Sequence, residues 1–283
     1  MFKNYLICQQ KIQIEAQNFP SDCADWSIFE ADFDAPDFSV KCKVTDPLPE
    51  VDGGLCGKSG DYSVFCKGST VFRKREMGNL QGSLTKYDCK NSSECEVYFT
   101  PKSFPVFMDE RYFWTSVPLA QYLLVKKVVL MHASYIDVGG SAVLFSAPCG
   151  TGKSTQAELW RVHRNAQVIN GDKAGVYFKD GKAFAGGVPF CGTSNICKNR
   201  DLPLKAIVLL SQGKENVAKH LTGVEALQSV IKNIYLDLLA PNEKQMCVDF
   251  VIELLSSVPV ISLQCTPDER AIEELEKFLK QLN

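Results

Sequence analysis

The chain has 283 residues, a formal net charge of −2, a pI near 6.0 and 45% hydrophobic residues, enough for one large domain or two modest ones with a sizeable core. That balance, with no basic stripe, argues against a nucleic-acid partner. No apolar run reaches membrane-spanning length and Met1-Phe2-Lys3-Asn4-Tyr5-Leu6 lacks a long apolar signal core, so no membrane partner and a cytoplasmic location are expected.

The first hundred or so residues read as β-rich. Tyr5 to Ala16, Trp26 to Phe33, Phe38 to Val44, Tyr62 to Phe72 and Cys95 to Phe99 carry short alternating or aromatic-rich runs. Turn clusters such as Asp52-Gly53-Gly54 and Asn91-Ser92-Ser93 separate them. An antiparallel sheet is expected over residues 1–113. Seven of the twelve cysteines precede residue 100, but none forms a Cys-x-x-Cys pair and the chain has only three histidines. A structural zinc site is therefore not expected, and the thiols are expected free, acting as small buried hydrophobes.

Residues 114–283 read as a second domain of α/β type. Leu119, Tyr122, Leu123 and Lys126-Lys127 suggest a helix begun near Ser116-Val117-Pro118. Val129 to Ile136 and Ala142 to Phe145 form an expected hairpin around Asp137-Val138-Gly139-Gly140. A glycine loop follows and then a helix over Gln156 to Val162. Gln167 to Asn170 is a short strand, and Val176 to Phe178 with Ala183 to Ala185 is a second hairpin. Leu204 to Leu210 reads as a buried strand. Helices are expected over Gly223 to Leu239 and Asn242 to Ser256, and a last strand over Val258 to Leu263. The final helix spans Asp268 to Leu282, with Ile272, Leu275, Phe278 and Leu279 on one face.

The glycine loop carries the chemistry. Ser146-Ala147-Pro148-Cys149-Gly150-Thr151-Gly152-Lys153-Ser154-Thr155 lies between an apolar strand and a helix, the setting in which successive backbone N–H groups and a helix N-terminus face a phosphate. Pro148, Cys149, Gly150, Thr151, Gly152, Lys153, Ser154 and Thr155 are the candidate nucleotide contacts. Lys153 would reach the β/γ-phosphates and the Ser154 hydroxyl would ligate Mg²⁺. The usual pattern has a glycine where Ala147 stands. A glycine-rich turn capping an ordinary helix is the alternative, but only phosphate binding accounts for the Lys-Ser pair. Cys149 sits inside the loop, where its thiol could be oxidation-sensitive.

A nucleotide–Mg²⁺ site needs a nearby carboxylate. Asp172, in Ile169-Asn170-Gly171-Asp172-Lys173, ends the strand after the loop helix, where metal ligands belong. Asn-Gly-Asp is also ordinary turn chemistry. His132 lies on the strand before the loop, where a core role is the alternative. His163 reads as a helix C-terminal charge.

The order of these elements resembles the HPr kinase and phosphoenolpyruvate carboxykinase-like superfamily. The resemblance rests on the histidine strand Met131-His132-Ala133-Ser134, the Gly-x-Gly-Lys-Ser loop and the strand end Asn170-Gly171-Asp172-Lys173. Gly187 to Ser194, Leu202 to Leu210 and Cys265-Thr266-Pro267-Asp268-Glu269 look like small bacterial members of that group. It covers roughly the C-terminal 60% of the chain. It implies a mixed-sheet P-loop core behind the β-rich N-terminal region. It also implies catalytic roles for His132, Lys153 and Asp172, with Ser154 and Asp172 holding Mg²⁺. Where HPr kinases carry an Asp-Asp pair, this chain has Gly171-Asp172, and no clear counterpart of the later substrate-capture motif stands near Arg200-Asp201.

The expected activity is an ATP- and Mg²⁺-dependent kinase, GTP not being excluded. Its acceptor would be a hydroxyl, seryl by analogy, on a peptide, protein or small molecule. A nucleotide-binding regulatory module without turnover is the alternative favoured by Gly171, and carboxykinase-type chemistry ranks third. HPr kinases assemble into rings, so the resemblance leaves a homo-oligomer open.

Overall fold

The computed structural model describes residues 1–20, 24–78, 80–90, 93–235 and 240–281. They form a mixed α/β structure with two mixed sheets, divided into two compact units. Met1–Lys126 with Leu236–Cys247 is the first, and Lys127–Tyr235 with Val248–Asn283 the second. The sequence placed the boundary near residue 113. Residues 114–126 instead belong to the first unit, because Leu119, Tyr122 and Leu123 are buried in its core, with Tyr122 stacked on Phe38 at 4.1 Å.

In the first unit, β1 (Phe2–Ile7), β2 (Gln10–Glu15), β3 (Phe38–Val44), β4 (Gly54–Ser59), β5 (Tyr62–Lys67), β6 (Thr70–Met77), β7 (Leu80–Asp88) and β8 (Glu94–Phe99) form one sheet in the order β1-β2-β3-β8-β7-β6-β5-β4. It is not wholly antiparallel as expected: β3 runs parallel to both β2 and β8. The long connection after β2 lets the chain cross over and return in the same direction. Within it, the expected strand at Trp26 to Phe33 is replaced by α1 (Ala24–Ser27), whose Trp26 stacks on Trp114 at 3.6 Å. β7 escaped the sequence reading because it buries hydroxyls: Thr85 Oγ1 donates to Ser116 O at 2.9 Å. Three short helices follow, α2 (Phe104–Phe107), α3 (Glu110–Ser116) and α4 (Leu119–Val125). Pairing of β4 with β5 brings Cys56 and Cys66 together in a disulfide, contrary to the expectation of free thiols throughout. The other nine described cysteines are free.

The second unit begins with β9 (Val128–Val138) and β10 (Ser141–Ser146), joined by a tight hairpin. Gly139 and Gly140 both take positive φ, the geometry of a two-residue turn that matches strand twist. Then come α5 (Lys153–Arg164), β11 (Gln167–Asn170), β12 (Lys173–Lys179), β13 (Lys182–Gly186), β14 (Asp201–Gln212), β15 (Val217–Leu221) and α6 (Gly223–Ile231). The chain ends with α7 (Pro241–Leu255), β16 (Val260–Cys265) and α8 (Glu269–Gln281). The helix expected over Gly223 to Leu239 instead stops at Ile231, because Ile234 bridges Met131 of β9 and the Tyr235 N–H donates to Leu130 O; residues 236–239 and Leu282 lie outside the described residues.

The loop strand β10 is central. It pairs antiparallel with β9 and parallel with β14, and β14 runs parallel to β16. β9 serves three ladders: Val128–His132 pairs with β12, Ala133–Val138 pairs with β10, and Tyr135–Asp137 also pairs with β11. Edge strand β15 pairs with β16 and is mostly exposed, so it lacks the apolar run that reveals a buried strand. Helices α5 and α8 share one core with the sheet, in which Trp160, Ile272, Leu275 and Leu279 meet Val143, Phe145, Val208 and Ile261. Arg164 on α5 bonds both Glu269 and Glu276 on α8 at 2.9 Å. No helix among the described residues is long and apolar enough to cross a membrane.

Candidate functional site

The site is built where β10 ends. Ala142 to Ala147 is fully buried, and the chain then emerges at Pro148, Cys149 and Gly150, all exposed. Gly150 and Gly152 have φ of 78° and 122°, conformations that a residue with a Cβ rarely adopts. They turn the backbone sharply enough for α5 to start at Lys153. The first N–H groups of a helix have no partner within it, and the aligned peptide dipoles add a partial positive charge there. Ser154 and Thr155 are exposed at this end.

Lys153 is the exception. It is only 9% exposed and curls back over the loop, donating from Nζ to Ala147 O at 3.0 Å and Pro148 O at 3.5 Å. Burial pushes its pKa down, opposed by Cys149 and Asp172. A desolvated ammonium held by two carbonyls is a cation with little competing water around it.

Strands β9 and β12 carry the charged groups that act on that cation. Lys173 of β12 is in register with His132 of β9, so Asp172, just before β12, lies beside the histidine. Asp172 Oδ1 is 3.3 Å from His132 Nε2, and Lys173 Nζ donates to Oδ2 at 2.7 Å. The pKa of His132 lies below its ordinary 6.5, chiefly through burial, then through the Lys153 charge, with Asp172 pulling the other way. Burial and the Lys153 charge therefore both favour the neutral imidazole. Thus His132, Lys153 and Asp172, separate in sequence, form one electrostatically linked group.

Buried polar groups that sequence reasoning passed over hold this arrangement. Asn170 Oδ1 accepts from the backbone N–H of both Asp172 and Lys173 at 2.9 Å, and Nδ2 donates to Val188 O at 2.8 Å. Ser146 Oγ donates to His132 O at 2.6 Å and Ser134 Oγ to Gly171 O at 3.0 Å, tying β10, β9 and the Asp172 turn together. The only signal for these in the sequence was the Asn-Gly-Asp turn chemistry. Arg200 pairs with Asp137 at 2.8 Å and donates to Gln167 at 2.9 Å. His163, in the last turn of α5, pairs with Glu269 at 3.3 Å.

Gly171 has its own steric cause. A Cβ there would collide with the Ser194 side chain, whose Oγ donates to Cys191 O at 2.6 Å. Gly171→Asp is therefore expected to destabilise the fold by about 1–3 kcal/mol, the usual cost of overpacking. Adding Ser194→Gly should return most of that loss. Urea unfolding of both variants checks this.

A titration tests the linked group directly. By NMR, His132 should titrate below 6.5, move up in Lys153→Ala and move further down in Asp172→Asn, following the signs of the two charges. Because its folded pKa is depressed, the unfolded chain binds that proton more tightly, so stability should fall as pH drops through 6.5.

No family model matches the chain, and a search of curated proteins finds no match. Among solved structures, it is similar to the Hpr(Ser) kinase/phosphatase from Coxiella burnetii, at 7% identity and a TM-score of 0.34, over 54% of this chain and 97% of that one. That is a weak resemblance at the level of fold, and the functional reading rests on the geometry above.

Proposed function

We propose that the second unit is a P-loop nucleotide site of the HPr kinase-like type, and that the protein is an ATP- and Mg²⁺-dependent kinase acting on a hydroxyl. The observation that carries this reading is the convergence of Lys153, His132 and Asp172 beside a glycine loop that opens onto a helix N-terminus. Such an arrangement suits phosphoryl transfer, which needs positioning and charge neutralisation more than covalent help from the protein.

In this reading the loop N–H groups from Gly150 to Thr155 cradle the polyphosphate, and Lys153 leaves its carbonyl partners to meet the β/γ-phosphates. Asp172 accepts the proton of the acceptor hydroxyl as its oxygen bonds to the γ-phosphorus and the bond to the β-phosphate oxygen breaks, releasing the nucleoside diphosphate. Neutral His132 orients the Asp172 carboxylate. Mg²⁺ is commonly held through one or two carboxylates plus substrate phosphates rather than by an all-protein cage. The Ser154 hydroxyl and Asp172 carboxylate would hold it, and it would neutralise charge on the phosphates.

Gly171 favours a second reading, a nucleotide-binding module without turnover. Ser194 occupies the space a second carboxylate would need, and Lys173 already pairs with Asp172. Single-turnover assays with Mg²⁺-ATP and seryl peptides or small alcohols separate the two. ADP formed together with a phosphorylated acceptor supports the kinase. ATP bound but left intact supports the module, and no ATP binding at all defeats both.

A further inference from the structure

On the flank of the glycine loop facing β14 and β16, the second unit has a cleft of about 370 Å³, within the roughly 300–1,000 Å³ range of small-molecule pockets. Gly150, Thr151 and Gly152 form one rim. Gln156, Leu210, Gln212, Cys265, Thr266 and Pro267 form much of the rest. None of these described lining residues carries a formal charge at neutral pH, whereas the charged group of Lys153, His132, Asp172 and Lys173 involves β9 and β12. The two flanks of one loop thus differ in kind: one suits anionic, reacting groups and the other a neutral, flat, partly polar one.

Gln156 marks what the cleft is built to meet. It is 2% exposed, yet its Oε1 has no hydrogen-bond partner. Its Nε2 donates only to Cys265 Sγ, at 3.3 Å, and a sulfur is a weak acceptor. A buried amide oxygen left unpaired costs stability, and native structures rarely leave such a group without a reason. Two neighbouring polar side chains are committed elsewhere. Gln212 Nε2 leans on the loop carbonyls of Gly150 and Thr151 at 3.4 and 3.5 Å. Thr266 Oγ1 is bonded to Asn216. Gln156 therefore has an unpaired acceptor, buried in this state, beside a weakly held donor, and a turn of its side chain would bring both to a wall otherwise supplied by Leu210, Cys265 and Pro267.

A glutamine amide in that state is the complement of adenine, accepting from the exocyclic N6 amine and donating to the adjacent ring nitrogen. Guanine places its O6 where adenine has the amine, opposite the Gln156 oxygen. We infer that this cleft is an adenine subsite in which Gln156 determines base specificity. The nucleoside end of the nucleotide then lies between α5 and the ends of β14 and β16, with the polyphosphate running along the loop towards Lys153. The inference rests on the phosphate reading of the loop and adds the identity and direction of what the loop binds.

Isothermal titration of the full chain with Mg²⁺-ATP, Mg²⁺-GTP and inorganic triphosphate tests it, in the wild type and in Gln156→Met. ATP should bind more tightly than GTP or triphosphate. Gln156→Met keeps the volume and removes the unpaired amide, so the fold should be no less stable. ATP binding should weaken roughly tenfold, as expected for losing one bidentate base contact, while triphosphate binding stays unchanged. In the wild type alone, adenosine should compete with ATP and guanosine should not. Equal binding of ATP, GTP and triphosphate overturns the adenine subsite and leaves the loop reading standing. A uniform loss of all three ligands in Gln156→Met also overturns it, because the residue would then act only through loop packing. A wild-type preference for GTP rejects adenine as the base. If neither triphosphate nor ATP binds the wild type, the loop reading itself fails.

Discussion

Lys153→Ala should abolish measurable Mg²⁺-ATP binding while leaving the protein folded. The side chain is 9% exposed and burial lowers its pKa, so its charge is partly desolvated before any ligand arrives. A charge-assisted bond to phosphate contributes about 1.5–3 kcal/mol. Two such contacts, to the β- and γ-phosphates, would weaken binding by more than about a hundredfold when lost. Stability should move little, because removing a poorly solvated cation offsets the loss of its bonds to Ala147 O and Pro148 O. Calorimetric titration reads the first effect and thermal unfolding the second. Unchanged ATP affinity in a folded variant would falsify the site assignment. Lys153→Arg should lie between the two, since its larger planar fork cannot fold against the same carbonyls.

The second large effect concerns the platform beneath the loop. Trp160 is 1% exposed and lies 6.3 Å from the Phe145 ring, joining α5 to the strand that delivers the loop. Trp160→Ala should destabilise the second unit by about 3–5 kcal/mol, the range for deleting a large buried aromatic. Trp160→Phe should cost far less, because the indole Nε1 has no hydrogen-bond partner to lose. Urea unfolding followed by far-UV circular dichroism measures both. ATP binding should track the unfolding of this unit, since α5 carries Lys153, Ser154 and Gln156. A Trp160→Ala variant as stable as Trp160→Phe would sink the claim that this ring anchors the helix.

Much of the second unit was legible in one dimension. The Gly139-Gly140 turn announces the β9–β10 hairpin because few residues other than glycine tolerate two successive positive φ angles. The amphipathic face of α8, with Ile272, Leu275 and Leu279, was readable from period alone, as those residues enter the shared core. The first unit was less legible. The parallel placement of β3, the hydroxyl-rich β7, the helix at Trp26 and the Cys56–Cys66 disulfide depend on which distant segments meet, and local pattern carries no record of that. The return of residues 240–247 to the first unit was invisible for the same reason.

The local order of residues determined the glycine loop, its helix and the three candidate groups His132, Lys153 and Asp172. Each depends on backbone conformation or on chemistry carried within a few residues. Tertiary structure alone decided that Asp172 meets His132, because only the β9–β12 register sets Lys173 opposite His132 and so brings Asp172 to the imidazole. It also decided why position 171 has no side chain, since Ser194 approaches from more than twenty residues away. And it set the unpaired Gln156 oxygen in a neutral cleft against Cys265, a juxtaposition made by the parallel alignment of β10, β14 and β16.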